Sequence, residues 1–252
     1  MKTTGTQIGI KKNTTSHSMI MCILLPMEYE KTSLYDSRFG RNVFAATLIK
    51  RFLQLDRPSV LNIGGGSDND LAEILPQADV TSVDISPSAD ICFNLDSDDS
   101  IPCNRKRYDC VVALDVLEHL ESFHRRLDEA LHLTERYCLI SLPISPSEAA
   151  RISIFPSKYK RKKLTEGVFS KFYGLPLERP VDRHRWFIYG DDVIRLGKSI
   201  ERKGFSVTIM LDPISSSKII QSLLFFVPQH IRLNFLARWA WIVAKRNEAA
   251  ID

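Results

Sequence analysis

This chain has no C-x-x-C pair, no G-x-G-x-x-G loop, no P-loop lysine and no apolar run long enough to cross a bilayer. Each absence removes a class of function. The five cysteines (Cys22, Cys92, Cys103, Cys110 and Cys138) are odd in number and scattered, which excludes a zinc ribbon or a disulfide framework and points to a reducing, cytoplasmic setting. The polar start MKTTGTQIGIKKNTTSH has no early apolar core, so it does not read as a secretory signal. The run MIMCILLP (Met19–Pro26) falls well short of the roughly 20 residues a spanning helix needs. Residues 1–27 are expected to form an N-terminal tail, and residues 28–252 a single domain. There are no internal repeats and no low-complexity tracts.

A hydrophobic fraction of 44% against 25% charged residues excludes a disordered chain and leaves an ordinary globular one. The net charge of +4 is mild, too low to suggest a nucleic-acid partner. The charge is unevenly spread. Acidic residues outnumber basic ones between Ser59 and Pro143, while both flanks are basic. That pattern suits an anionic partner at the rim, or a solvated face.

What is present is an alternation of strands and helices. SRFGRNVFAATLIKRFLQL sets Phe44, Leu48, Phe52 and Leu55 at helical spacing, and Pro58 closes it. SVLNI reads as a buried strand ended by Gly64, Gly65 and Gly66, after which Asp68 or Asn69 can cap a helix carrying Leu71, Ile74 and Leu75. DVTSVDIS and ADICFNLD read as the second and third strands. YDCVVALD is nearly all apolar, the mark of a strand covered on both faces. VLEHLESFHRRLDEALHLTE (Val116–Glu135) reads as one helix, YCLISLP as the fifth strand, and DDVIRLGKSIERKGFSVTIML as a helix turning at Gly204 into a sixth. WAWIVAKR is the last strand. This cadence predicts a parallel sheet with helices on both faces, with ligands bound beyond the carboxyl ends of the strands. Residues 144–189 break the rhythm and read as an acceptor-side, lid-like insertion.

Four features then fall in one order: the glycine loop, Asp84 ending the second strand, Asp96 after the third, and LDVLEHL after the fourth, with Asp115, Glu118 and His119. Glycines let an anionic or polar tail approach backbone N–H groups. A carboxylate ending the second strand can accept both hydroxyls of a ribose. Together they describe an adenosine whose tail lies over the glycines. Taken alone, the triplet is only a turn; the ordered set carries the reading.

From Ser59 to Arg246 these motifs resemble a class I S-adenosylmethionine-dependent methyltransferase. VLNIGGG is similar to that family's V-L-D-x-G-x-G loop, and FNLDSDDSIP to its D-L-x-x-x-L-P stretch. YDCVVALDVLEHL is similar to F-D-x-V-x-x-x-D-V-L-E-H-L, and DRHRWF to its H-x-R-x-F segment. The resemblance implies a Rossmann-like, doubly wound, seven-stranded and mostly parallel sheet with an antiparallel last strand, and S-adenosyl-L-methionine as cofactor. It implies that Asn62, Gly64, Gly65 and Gly66 line the methionine tail, and that Asp84 holds the ribose. Ile85 would pack on the adenine, Leu95 and Asp96 would reach its edge, and Leu114 and Asp115 would lie under the sulfur. Asn62 and Ser67-Asp68 depart from the family pattern. His184 is the first choice for a base, with Asp115 or His119 as fallback, and no metal is expected. The acceptor is expected to be a small or carrier-linked molecule, with FYGLPLERPVDRHRWF suited to a sugar ring or phosphate. KYKRKK (Lys158–Lys163) reads as a solvated face. SLLFFVPQHIRLNFL reads as core between the last strands, with peripheral membrane contact the less favoured alternative. The competing readings are a non-catalytic member of the same fold serving as an interaction module, and a nicotinamide-dependent oxidoreductase, which LDVLEHL disfavours.

Overall fold

The computed structural model describes residues 38–66, 70–154, 184–213 and 227–247. Seven strands form one sheet in the order β3-β2-β1-β4-β5-β7-β6. They are β1 (Ser59–Ile63), β2 (Asp79–Asp84), β3 (Ile91–Cys92), β4 (Tyr108–Leu114), β5 (Thr134–Pro143), β6 (Phe205–Pro213) and β7 (Ala237–Arg246). The first five run parallel; β7 enters antiparallel between β5 and β6. The helices are α1 (Arg38–Leu53), α2 (Asp70–Ile74), α3 (Phe123–Leu133), α4 (Ser145–Ile154), α5 (Gly190–Glu201) and α6 (Gln229–Phe235).

The two faces of β4 show how the sequence dictates the layers. Cys110 and Val112 point into one core with Phe44, Leu48, Leu71 and Trp241, under α1 and α2. Val111 and Ala113 point into the other with Leu127, Ala130, Val193 and Ile200, under α3 and α5. Alternation along a strand with both sets apolar is what a sheet sandwiched between helices requires. Phe44 meets Trp241 edge-on at 4.8 Å between centroids, which ties the first helix to the last strand.

Most of the expected elements are present within a residue or two, and three differ. The third strand is only two residues long. It is pinned to β2 by Asp90, whose carboxylate accepts from the Ser82 N–H at 2.8 Å and hydroxyl at 2.7 Å, and the chain leaves it early to form the loop bearing Leu95 and Asp96. The single helix expected over Val116–Glu135 is two pieces, a 3-10 turn at Leu117–His119 and then α3. Leu120 is extended, its carbonyl accepts from Trp186 Nε1 at 2.7 Å, and the Ser122 hydroxyl bonds Leu95 O at 3.0 Å. These contacts replace the helical ladder there. The fifth strand begins at Thr134, directly from α3. The expected tail at 1–27, the capping pair Asp68 or Asn69, KYKRKK, most of the 144–189 insertion and the first five residues of SLLFFVPQHIRLNFL lie outside the described residues. Among the described residues, no helix is long and apolar enough to cross a membrane.

Candidate active site

The order of the strands reverses between β1 and β4, so the loops leaving their carboxyl ends diverge and open a crevice. The glycine loop leaves β1 on one side of it, and Asp115 leaves β4 on the other. Gly64 and Gly66 have φ of +73° and +72°, values that disfavour side-chain-bearing residues. A Cβ at position 64 would lie 2.3 Å from Val116 Cγ2, and one at 65 would lie 2.8 Å from the Asn62 side-chain nitrogen. The loop is therefore packed tightly from beneath, with Asn62 buried under Gly65.

Asp84 closes this corner. One carboxylate oxygen accepts from Gly66 N at 2.8 Å and the other from Ser86 N at 2.9 Å, so its orientation is fixed by backbone. The next residue, Ile85, is 69% exposed. An exposed isoleucine beside an oriented carboxylate is an arrangement that could take a flat heterocycle and a hydroxylated sugar, the role the sequence analysis expects of this corner.

The loop carrying Leu95 and Asp96 is held by a fully buried arginine. Arg126 Nε donates to Leu95 O at 2.5 Å and its Nη2 to Ser97 O at 2.6 Å and Asp99 O at 3.0 Å. Glu129 pairs with Arg126 and accepts from Ile101 N at 2.6 Å. Leu95 is buried. The Asp96 carboxylate accepts from the Ser122 N–H and hydroxyl, both at 3.3 Å, and lies 3.7 Å from Arg185.

Asp115 adopts φ +46°, an uncommon conformation for aspartate, found where the surroundings over-determine the backbone. Here its carboxylate takes the Ser141 hydroxyl at 2.6 Å and Arg41 at 2.5 Å, and its N–H bonds Ser141 O at 3.1 Å. Leu114 is buried behind it.

Arg38 and Arg41 are the residues that the sequence reading missed. Arg38 donates to Gly65 O and lies over Gly66, while Arg41 reaches Asp115. The signal was there: two arginines in the opening turn of a helix with no acidic residue in that turn oppose the helix dipole, which asks for an anion nearby.

Across the crevice, the 3-10 turn meets the segment entering α5. Arg185 N bonds Glu118 O at 2.8 Å, Arg185 Nε bonds His119 O at 2.7 Å, and Arg185 also pairs with Glu121. His119 and His184 pack edge to face at 4.7 Å between centroids. The structure thus brings His184, His119 and Glu118 together and places Asp115 four residues earlier on the same connection. Trp186, Phe187 and Tyr189 are exposed beyond them.

Elsewhere, burial pushes the Cys138 thiol up to about 12, and burial, with Cys138 beside it, pushes Cys110 well above its ordinary range. Both are inert core residues.

The chain matches the methyltransferase domain family over residues 38–208. Its fold is similar to that of the plantazolicin methyltransferase BpumL, solved with a monoazolic desmethylPZN analog and SAH, at 18% identity over 83% of each chain and a TM-score of 0.50. Magnesium protoporphyrin IX methyltransferase from Synechocystis PCC 6803, solved with SAH, matches at 15% identity over 83% of each chain and 0.47. A SAM-dependent methyltransferase from Archaeoglobus fulgidus matches at 18% identity over 81% of this chain and 94% of that one, and 0.45. No curated protein matches the chain. At 18% identity the likeness to BpumL speaks for the fold alone, and the strand order meets the expectation of a Rossmann-like seven-stranded sheet with an antiparallel last strand. With more than half of its length matched by the family, this chain belongs to the methyltransferase domain family.

Proposed function

We propose that this protein transfers a methyl group from S-adenosylmethionine to an oxygen or nitrogen of a small or carrier-linked acceptor, of the kind found among glycan and glycolipid precursors. The observation that carries the reading is the corner formed by Gly66, Asp84 and Ile85, in which a backbone-oriented carboxylate stands beside an exposed apolar platform. Asp84 would take the ribose hydroxyls, Ile85 the adenine face, and the loop N–H groups the methionine tail. Arg38 and Arg41 would answer its carboxylate, which supplies the anion that their helix position calls for. When bound, the cofactor supplies an electrophilic methyl on sulfur together with its own leaving group. What remains for the chain is to position the acceptor, exclude water and accept a proton where the acceptor must lose one. His119 and His184 face that task, and the exposed Trp186, Phe187 and Tyr189 suit the apolar face of a sugar ring.

Calorimetry with S-adenosylmethionine and its demethylated product tests the reading. Both bind the wild-type chain, and Asp84→Ala weakens them about 10–100-fold, the value of a lost charge-assisted hydrogen bond. No binding by wild type would favour the non-catalytic interaction module instead. Acceptor class is read by transfer of labelled methyl to panels of hydroxyl and amine compounds, with and without sugars.

A further inference from the structure

Glu118, His119 and His184 offer one ligand atom each, and the three atoms lie within 4.8 Å of one another. We propose that they form a divalent-cation site on the acceptor side, selective for an ion that favours imidazole and carboxylate, such as zinc, manganese or cobalt. The proposal rests on the methyl-transfer reading for its role, though not for its existence.

Several observations support it. Two of the three ligands are shielded from bulk water, Glu118 at 1% and His184 at 3% exposure. The two imidazoles meet edge to face with centroids 4.7 Å apart. His119 Nε2 stands 3.8 Å from Glu118 Oε1. Zinc–nitrogen and zinc–oxygen bonds of about 2.0–2.2 Å put neighbouring ligand atoms roughly 3.0–3.5 Å apart, so small side-chain rotations complete the set.

The framework is already rigid. Arg185 N to Glu118 O, Arg185 Nε to His119 O and Trp186 Nε1 to Leu120 O lace the two segments together at 2.7–2.8 Å. Second-layer bonding of this kind holds ligands in register. The His119 side chain is 29% exposed, so the cluster has one open side through which an ion and an acceptor oxygen can enter.

Three protein ligands with an open position are the arrangement of a Lewis-acid site. An acceptor hydroxyl placed on the ion loses its proton to water. Its oxygen then forms the new bond to the methyl carbon, and the pair of the breaking carbon–sulfur bond stays on sulfur. In this arrangement His119 and His184 are ligands, and the ion does the work otherwise asked of a free imidazole.

The test uses the full chain, stripped with a chelator and titrated with Co2+, which reports its ligands through visible absorption. One Co2+ per chain is expected, displaced by Zn2+. Glu118→Gln and His184→Asn each lower affinity by more than about 100-fold, beyond what loss of an outer-layer partner does. His124→Ala, outside the cluster, changes nothing, and circular dichroism checks that each variant is folded. No uptake by wild type, or uptake unaffected by both cluster variants, overturns the site. S-adenosylmethionine calorimetry on the same stripped protein separates the two proposals. Cofactor binding without Co2+ uptake removes only the metal, and Co2+ uptake without cofactor binding removes only the methyl-donor reading.

Discussion

The two sides of the crevice are built by different means. On the cofactor side, the loop is held by backbone N–H groups: Gly66 and Ser86 donate to the Asp84 carboxylate, 18 and 2 positions away, and Gly64 donates to Val83 O. On the acceptor side, Arg185 and Trp186 cross to residues 66 positions away to hold the turn at His119 and Leu120. The first kind of construction follows from conformational preference, and the second depends on a few side chains meeting across the fold. One side is hard to change without breaking the backbone. The other can be re-equipped by exchanging residues on one segment, which suits a fold whose acceptor varies while its donor does not.

The largest expected effect strikes the exception on the cofactor side. Arg126 is a long-range brace for the Leu95–Asp96 loop, and Arg126→Met leaves Glu129 and three carbonyls without it. A loss of about 3–5 kcal/mol is expected in denaturant unfolding; a loss under about 1 kcal/mol would show that the loop holds itself. Next comes Gly64→Ala. The positive φ costs about 1–2 kcal/mol and the collision with Val116 about 1–3 kcal/mol more, and S-adenosylmethionine binding falls below calorimetric detection. If Val116→Ala restores binding to Gly64→Ala, packing rather than φ dominates.

Arg185→Met sharpens the contrast further. It should leave S-adenosylmethionine affinity within about threefold while hydrogen exchange quickens at the N–H groups of residues 117–120. A larger affinity loss would mean that the 3.7 Å approach of Arg185 to Asp96 couples the two sides.

The smallest effect concerns the sheet beneath both. A thiol whose folded pKa lies above its unfolded value holds its proton longer in the native state. Stability from Cys138 is therefore full below pH 9 and declines as pH rises toward 12. Cys138→Ala should flatten that decline in alkaline unfolding curves, with little change at pH 7.

The same contrast explains what could be read in advance. β1, β4 and the glycine loop were legible because apolar runs and glycines act locally. Asp84 was legible because its place at a strand end follows from the strand. The break at Leu120–Ser122 was not, since nothing in the local pattern says that Trp186 will claim the Leu120 carbonyl. Arg126 sits in a run of polar residues, and only the tertiary fold shows that it is buried. Arg38 and Arg41 left a trace in their unfavourable position at a helix start, visible once one asks what the helix dipole would prefer. Glu118, His119 and His184 could each be named as chemistry-bearing from LDVLEHL and DRHRWF, but their meeting depends on a contact between distant segments.

The strand order carries a consequence for how the chain is made. β6 pairs with β7, and β7 alone joins it to β5. As the polypeptide emerges, residues 205–213 therefore wait as a lone edge until residues 237–246 arrive and slide between two strands already synthesised. The parallel half that carries the glycine loop can assemble first, and the finished sheet depends on the last of its seven strands to be translated. A ribosome-stalled series of increasing length would register that moment as a late, single gain in protease resistance.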